Sequence, residues 1–94
     1  MVYFITFHVI PEKKNSDYSK IKGAYINCWI ESEGLEPAKM IATKTIKELK
    51  WEIVGLEAAY EITLSDYEYK PHGKEFYEQA LIDKEVYSIH QYSN

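Results

Sequence analysis

The chain has 94 residues, 46% of them hydrophobic and 28% charged, which is typical of a folded globular chain and excludes a disordered one. Its formal charge of −4 and the lack of any Lys/Arg run longer than Lys13-Lys14 argue against nucleic acid as a partner. No apolar stretch approaches the roughly 20 residues that span a bilayer, so we expect no membrane segment. Because a chain of this length supports one core, we predict a single α+β domain over residues 1–94.

The cysteine content and the first residues indicate the compartment. Cys28 is the single cysteine and cannot form an internal disulfide. No leader with a charged and then an apolar part precedes the first predicted strand. We therefore expect a reducing, cytoplasmic location.

Two strands open the chain. Residues 2–10, VYFITFHVI, and residues 23–31, GAYINCWIE, are rich in the β-branched and aromatic residues that strands favour. The polar loop between them is longer than a tight hairpin turn, so antiparallel pairing is predicted but its register is not.

An amphipathic helix follows from Pro37. Its apolar residues recur at steps of three and four, and most of the residues between them are lysines and glutamate. Proline is tolerated in a first helical turn because its missing N–H would lack a helical partner there. The pattern predicts a core that contains Ile5, Phe7, Ile26, Ile41, Ile46 and Leu49.

The second half of the chain predicts a strand, a helix and a last strand. Residues 51–63 return to a strand-like composition, with Gly55 marking a bulge or bend. Residues 73–84 predict a short helix that buries Phe76, Tyr77, Ala80 and Leu81, and residues 85–92, EVYSIHQY, predict the final strand.

The element order ββαβαβ predicts an α+β two-layer sandwich with one mixed four-stranded sheet. Two right-handed crossovers, each carrying a helix, predict both helices on the same face of this sheet. In that respect the architecture resembles the ferredoxin-like class of two-layer folds, although its order of elements differs. The opposite face of the sheet is then predicted to be bare.

Strand alternation assigns side chains to the two faces. Cys28 falls on the apolar face, where burial raises the pKa of a thiol and makes it inert. The bare face instead collects aromatic rings that carry polar tips, a mixture suited to a binding surface. The predicted ligand-binding or partner-binding residues are Thr6, His8, Tyr25, Asn27, Trp29, Ser88 and His90, with Phe4 beside them.

Three uses of this face remain open: simple coverage by large aromatic side chains, face-to-face packing in a homodimer, and a pocket for a small ligand or a protein partner. In a homodimer we expect Trp29 to anchor the contact. The sequence thus favours a non-enzymatic interaction or ligand-binding module that self-associates through the aromatic face. The alternative is a small enzyme that uses His8 or His90 as acid or base in a cleft beside that face. A platform for stacking single-stranded RNA is disfavoured by the acidic charge.

No motif predicts a metal or a cofactor. Zinc spacings and a glycine-rich phosphate loop are absent from the sequence. Ser88 and His90 lie two positions apart on one strand, about 7 Å between Cα atoms at about 3.3 Å per residue, which is long for a direct bond and matches no known motif. His72, between Pro71 and Gly73, is expected to be exposed and to serve backbone geometry.

Overall fold

The computed structural model describes residues 1–67 and 73–93, so the predictions for Pro71 and His72 lie outside the described residues. Its elements are β1 (Val2–Pro11), β2 (Gly23–Glu31), α1 (Leu35–Glu48), β3 (Trp51–Ile62), a 3-10 helix (Leu64–Tyr67), α2 (Lys74–Asp83) and β4 (Glu85–Tyr92). The α+β class, the four-stranded sheet and the packing of helix against sheet are confirmed.

The sheet has the strand order β3-β1-β2-β4. All three neighbouring pairs are antiparallel, so the prediction of a mixed sheet is wrong. β2 and β3 do run in the same direction, but β1 lies between them and pairs with both. β2 and β3 are therefore parallel in direction, but they are not hydrogen-bonded to each other.

The two helices pack against opposite faces of the sheet, so the prediction of both helices on one face is also wrong. α1 joins the parallel strands β2 and β3 and packs on the face that contains Cys28. α2 joins β3 to β4, and it packs on the face that contains Trp29. The handedness rule concerns parallel strands. Since β3 and β4 run in opposite directions, it does not fix the side on which α2 packs.

The face under α1, called here the first face, holds the larger core. Ala38, Ala42 and Ile46 of α1 are fully buried against the strands. The predicted burial of Ile5, Phe7, Ile26 and Ile46 is confirmed, and Ile41 is partly buried at the margin of this core. Leu49 was predicted in the core, but it is 46% exposed because α1 ends at Glu48 and Leu49 is its C-terminal cap.

A polar contact joins α1 to the edge strand β4. Both Thr45 Oγ1, at 2.7 Å, and the Tyr87 hydroxyl, at 2.6 Å, donate to Glu85 Oε1. Burial and this hydrogen bond raise the pKa of Tyr87. Burial, with the Glu85 charge as a second cause, raises the pKa of Cys28 to about 12, so the expected burial of this thiol is confirmed.

A second, smaller core lies under α2. Ala80 of α2 is fully buried against Val2, Trp29 and Ile62, which come from three different strands or their ends. The predicted inward position of Leu81 is wrong, since its side chain is 48% exposed.

A one-residue connection holds the C-terminal end of α2 beside the sheet. Lys84 alone separates α2 from β4, and it has a left-handed conformation with φ 74°. Its backbone N–H donates to Ala80 at 2.9 Å, and its carbonyl accepts from the Glu31 N–H at 2.8 Å. These bonds hold the end of α2 close to the ends of β2 and β4.

The strand β3 is irregular where it follows β1. Its register shifts between Thr6 and Phe7 and again between His8 and Val9. The second shift lies beside Gly55, which pairs with His8, so the predicted irregularity at this glycine is confirmed. Each shift adds a residue to β3 and locally increases the twist of the strand.

Candidate functional site

Strand pairing brings the predicted site residues together in rows across the face under α2, called here the second face. Directly opposed residues of antiparallel strands share a face. The rows, each running from β1 through β2 to β4, are Phe4–Trp29–Val86, Thr6–Asn27–Ser88 and His8–Tyr25–His90. All seven predicted residues therefore lie on the second face, and their role in binding stays a prediction.

α2 covers one end of the second face and leaves the other end open. Trp29 lies under α2, where its ring stacks on Phe76 with centroids 4.7 Å apart and meets the ring of Phe4 edge to face at 5.2 Å. Only 5% of Trp29 is exposed. The expectation that Trp29 anchors a homodimer is therefore wrong, because α2 of the same chain already covers it. Self-association through the open end stays a prediction.

A cavity of about 360 Å³ lies between the second face and α2. Its described lining has aromatic side chains toward α2 and β3 and polar side chains toward β4. The lining residues are Phe4, Asn27, Trp29, Tyr60, Tyr67, Gly73, Phe76, Ser88 and His90. Four of the seven predicted residues line this cavity: Asn27, Trp29, Ser88 and His90.

Asn27, Ser88 and His90 line the polar end of the cavity, and each belongs to a hydrogen-bonded pair. Thr6 Oγ1 donates to Asn27 Oδ1 at 2.8 Å. Ser88 Oγ and His90 Nε2 are 2.9 Å apart and share a hydrogen bond. The Cα separation of Ser88 and His90 was judged long for a direct bond, but the bond is present. The two side chains point toward each other, so their polar atoms are much closer than their Cα atoms.

Tyr67 forms the wall of the cavity between the 3-10 helix and α2. Its hydroxyl accepts a hydrogen bond from Trp29 Nε1 at 3.0 Å. Burial raises the pKa of Tyr67 above its usual value, so its hydroxyl stays protonated at neutral pH. Gly73 packs beside the ring with φ 97°, and an added Cβ would come within 3.1 Å of Tyr67 Cε1. A residue without a side chain therefore lets the ring approach the start of α2.

The open end of the second face has a separate aromatic cluster. His8 stacks on Tyr25 with ring centroids 4.6 Å apart and planes 16° apart, and His8 Nε2 lies 2.6 Å from the Tyr92 hydroxyl. Tyr25 is 42% exposed. Gly23 provides room for the Tyr92 ring, since an added Cβ would lie too close to its hydroxyl oxygen for any side chain to fit. Thr6, His8 and Tyr25 do not line the cavity.

Three side chains that line the cavity were missed by sequence reasoning, those of Tyr60, Tyr67 and Phe76. Phe76 was assigned to a helix face in the core, and the other two lie in segments given no binding role. For Tyr60 the sequence does hold a signal, because the period of two along a strand puts it on the same face as Ala58 and Ile62. In the structure Tyr60 pairs with Phe4 on the second face. For Tyr67 the sequence holds no such signal, because its position depends on where α2 packs.

Within residues 1–67 and 73–93, no group of three or more His, Cys, Asp or Glu side chains is arranged to hold a metal ion. None of the helices in this part of the chain is long and apolar enough to cross a membrane. Comparison of the chain with protein families, curated proteins and solved structures found no match.

Proposed function

We propose that the protein is a non-enzymatic binding module that holds a small molecule in the cavity between the second face and α2. The observation that carries this proposal is the division of the cavity into aromatic walls and one polar end. Ligand sites are typically concave and largely apolar, with a few polar groups that orient the ligand. A volume of about 360 Å³ lies near the lower limit of the usual range of about 300–1,000 Å³ and suits a compact ligand.

The construction of the cavity supports this function. Phe4, Asn27 and Trp29 project from the two central strands, which are paired along both edges and therefore hold their side chains in fixed positions. The stacking of Trp29 on Phe76 links this sheet to α2. A preformed wall of this kind lowers the conformational entropy that the protein loses when a ligand binds.

The decisive experiment uses Trp29 as an internal reporter. The chain has two tryptophans, and Trp51 lies in the core of the first face. In a Trp51→Phe protein, Trp29 is the only indole, and its emission reports directly on the cavity. We expect compact aromatic compounds from a fragment library to change this emission and to raise the melting temperature as mass action requires.

A matched pair of substitutions locates the binding. Ser88→Tyr places a ring at the polar end of the cavity on a strand that accepts tyrosine, and we expect it to abolish the emission change. Ser16→Tyr adds the same side chain to an exposed loop position and should leave binding intact. Fragments that bind Ser88→Tyr as tightly as they bind the parent, or a library that never alters Trp29 emission, would contradict the proposal.

A second candidate function is acid–base or nucleophilic catalysis at the polar end. The observation in its favour is the 2.9 Å contact between Ser88 Oγ and His90 Nε2 at the cavity, with His90 one of the two histidines predicted for this role. A working nucleophile and base usually have a third group that orients the base. In the described parts of the chain, no hydrogen bond holds the second ring nitrogen of His90. Binding is therefore the better-supported function.

Hydrolysis of an activated ester such as p-nitrophenyl acetate separates the two functions. An enzyme loses turnover in both Ser88→Ala and His90→Asn, whereas Ser65→Ala, an exposed serine outside the cavity, retains it. For a binding module we expect the parent and all three variants to hydrolyse the ester at the same slow rate. A burst of product from the parent that disappears in Ser88→Ala would establish catalysis instead.

A further inference from the structure

The orientation of one amide determines which ligands the cavity can distinguish. Thr6 Oγ1 donates to Asn27 Oδ1 at 2.8 Å, so the oxygen of this amide points toward β1. Its nitrogen, Nδ2, forms no hydrogen bond with any residue in the described parts of the chain, and it is not enclosed by protein. Asn27 lines the cavity, and Nδ2 is therefore a donor that is free for a ligand.

The rest of the polar end does not provide the same selectivity. Ser88 and His90 share one hydrogen bond, and either atom can be its donor. Depending on the imidazole tautomer, this pair can either donate a further hydrogen bond to a ligand or accept one from it. Asn27 Nδ2 can only donate, so the ligand atom that faces it is selected to be an acceptor.

The charge of the lining restricts the ligand further. The nine described lining residues include no Lys, Arg, Asp or Glu. An ionised ligand group that left water for this site would meet no permanently charged side chain of opposite sign, at a high cost in free energy. The formal charge of −4 on the chain also disfavours an anion. These features favour an uncharged ligand.

We propose, resting on the proposed binding function, that the cavity selects a neutral aromatic compound whose ring carries a carbonyl-type acceptor, with Asn27 donating to that acceptor and Thr6 holding the amide of Asn27. The aromatic walls bind the ring, and Asn27 Nδ2 distinguishes ligands that accept a hydrogen bond. Thr6 touches no ligand in this arrangement and is a positioning residue. The three predicted site residues Thr6, Asn27 and Trp29 thereby have different roles at one site.

Three small probes of almost the same shape test this selection. Acetophenone is the neutral acceptor, ethylbenzene is its apolar counterpart, and benzoate is its anionic counterpart. NMR titration of the isotopically labelled protein gives each dissociation constant and shows, through the Trp29 side-chain N–H signal, whether the probe enters the cavity. The quantity of interest is the dissociation constant for ethylbenzene divided by that for acetophenone.

This ratio is compared between the parent and the variants, which removes the difference in hydrophobicity between the two probes. One hydrogen bond of ordinary net strength corresponds to about a fivefold change. We expect the ratio to fall about fivefold in Asn27→Leu. It should fall toward the same value in Thr6→Val and keep the value of the parent in Thr6→Ser, which retains the hydroxyl. A purely structural role of Thr6 would weaken both probes equally and leave the ratio unchanged.

The outcomes separate this inference from the function on which it rests. Probes that enter the cavity with a ratio unaffected by Asn27→Leu and Thr6→Val overturn the selection by Asn27 but leave a binding module. Tighter binding of benzoate than of acetophenone overturns the neutral ligand class. If no probe moves the Trp29 signal up to its solubility limit, the binding function fails together with the inference.

Discussion

The two faces of the sheet are built from the same four strands but differ in how fully a helix covers them. On the first face α1 covers the central strands, where alanines and isoleucines are buried with no exposure at all. The second face is covered by α2 at one end only, and its rows mix aromatic rings with Thr6, Asn27 and Ser88. The comparison teaches that stability and a candidate binding site can be placed on opposite sides of one small sheet.

The difference follows from what each face must satisfy. Small and branched side chains on α1 let the helix approach the sheet closely, and close packing then leaves no room for a ligand. On the second face, large rings of the sheet and of α2 pack against each other, and a cavity of about 360 Å³ remains between α2 and the sheet. Four predictions test this division, in order of decreasing expected effect.

The largest effect is expected for Trp29→Ala. It removes a buried indole from the second core, and truncations of this kind cost about 3–5 kcal/mol. Urea denaturation should show this loss in the free energy of unfolding, and any dependence of the melting temperature on protein concentration should be the same in both proteins. Tyr25→Ala, a change to a half-exposed ring on the same strand, should cost much less. If the melting temperature of the parent depends on concentration and that of Trp29→Ala does not, Trp29 contributes to a contact between two copies of the chain.

Ile46→Ala tests the first face. The side chain is fully buried between α1 and the sheet, and its truncation should cost about 2–5 kcal/mol through lost transfer energy and a new cavity. Ile46→Val, expected to cost about 0.5–1.5 kcal/mol, gives a graded value if the alanine protein does not fold. The matched control is Ile82→Ala on α2, where 73% of the side chain is exposed. Equal costs at both positions would refute the closed first face.

Alkaline titration sharpens the same comparison, because Cys28 is buried on the first face. Its pKa rises from 9.0 to about 12 on folding, so its contribution to stability is complete below about pH 9 and is lost as the pH rises through about 12. At about 1.4 kcal/mol per pH unit, the loss amounts to about 2 kcal/mol at pH 10.5. Denaturation of the parent and of Cys28→Ala between pH 8 and pH 11 measures it. Parallel curves for the two proteins would show that the thiol is not closed off from water.

The smallest effect is expected at the open end of the second face. Tyr92→Phe removes the hydroxyl that lies 2.6 Å from His8 Nε2 and keeps the ring that packs over Gly23. A partly buried hydrogen bond of this type contributes about 0.5–1.5 kcal/mol to the free energy of unfolding. Tyr18→Phe, at an exposed loop position, should change stability by less than about 0.5 kcal/mol. Equal effects of the two substitutions would mean that the contact between the Tyr92 hydroxyl and His8 contributes nothing to stability.

Local patterns predicted the elements and the assignment of side chains to faces. The period of two along β1 and β2 placed Cys28 under a helix and Asn27 on the opposite face, and antiparallel pairing kept both assignments. The position of α2 was not predictable in this way. It depends on the direction of β4 relative to β3, strands whose relation is set by long-range pairing rather than by local sequence.

The same limit applies to the candidate site. Asn27, Ser88 and His90 could be predicted because neighbouring strands bring them into adjacent rows. The burial of Trp29 and the contribution of Phe76 could not, since both depend on the face on which α2 packs. The end of α1 shows a smaller version of this limit. A helical period places Leu49 inward, but the helix ends one residue earlier and the side chain turns toward water.

The irregularity of β3 bears on how the protein behaves at high concentration. β3 is an edge strand of 12 residues, and edge strands of this length can recruit strands from other molecules into growing aggregates. Its outer stretch also exposes apolar side chains, Val54 and Leu56 among them. The two register shifts twist this edge away from a flat ladder, and exposed glutamates at 52, 57 and 61 would meet like charges in a second copy. The bulges and the acidic side chains of this edge therefore disfavour the pairing of β3 with a strand of another molecule.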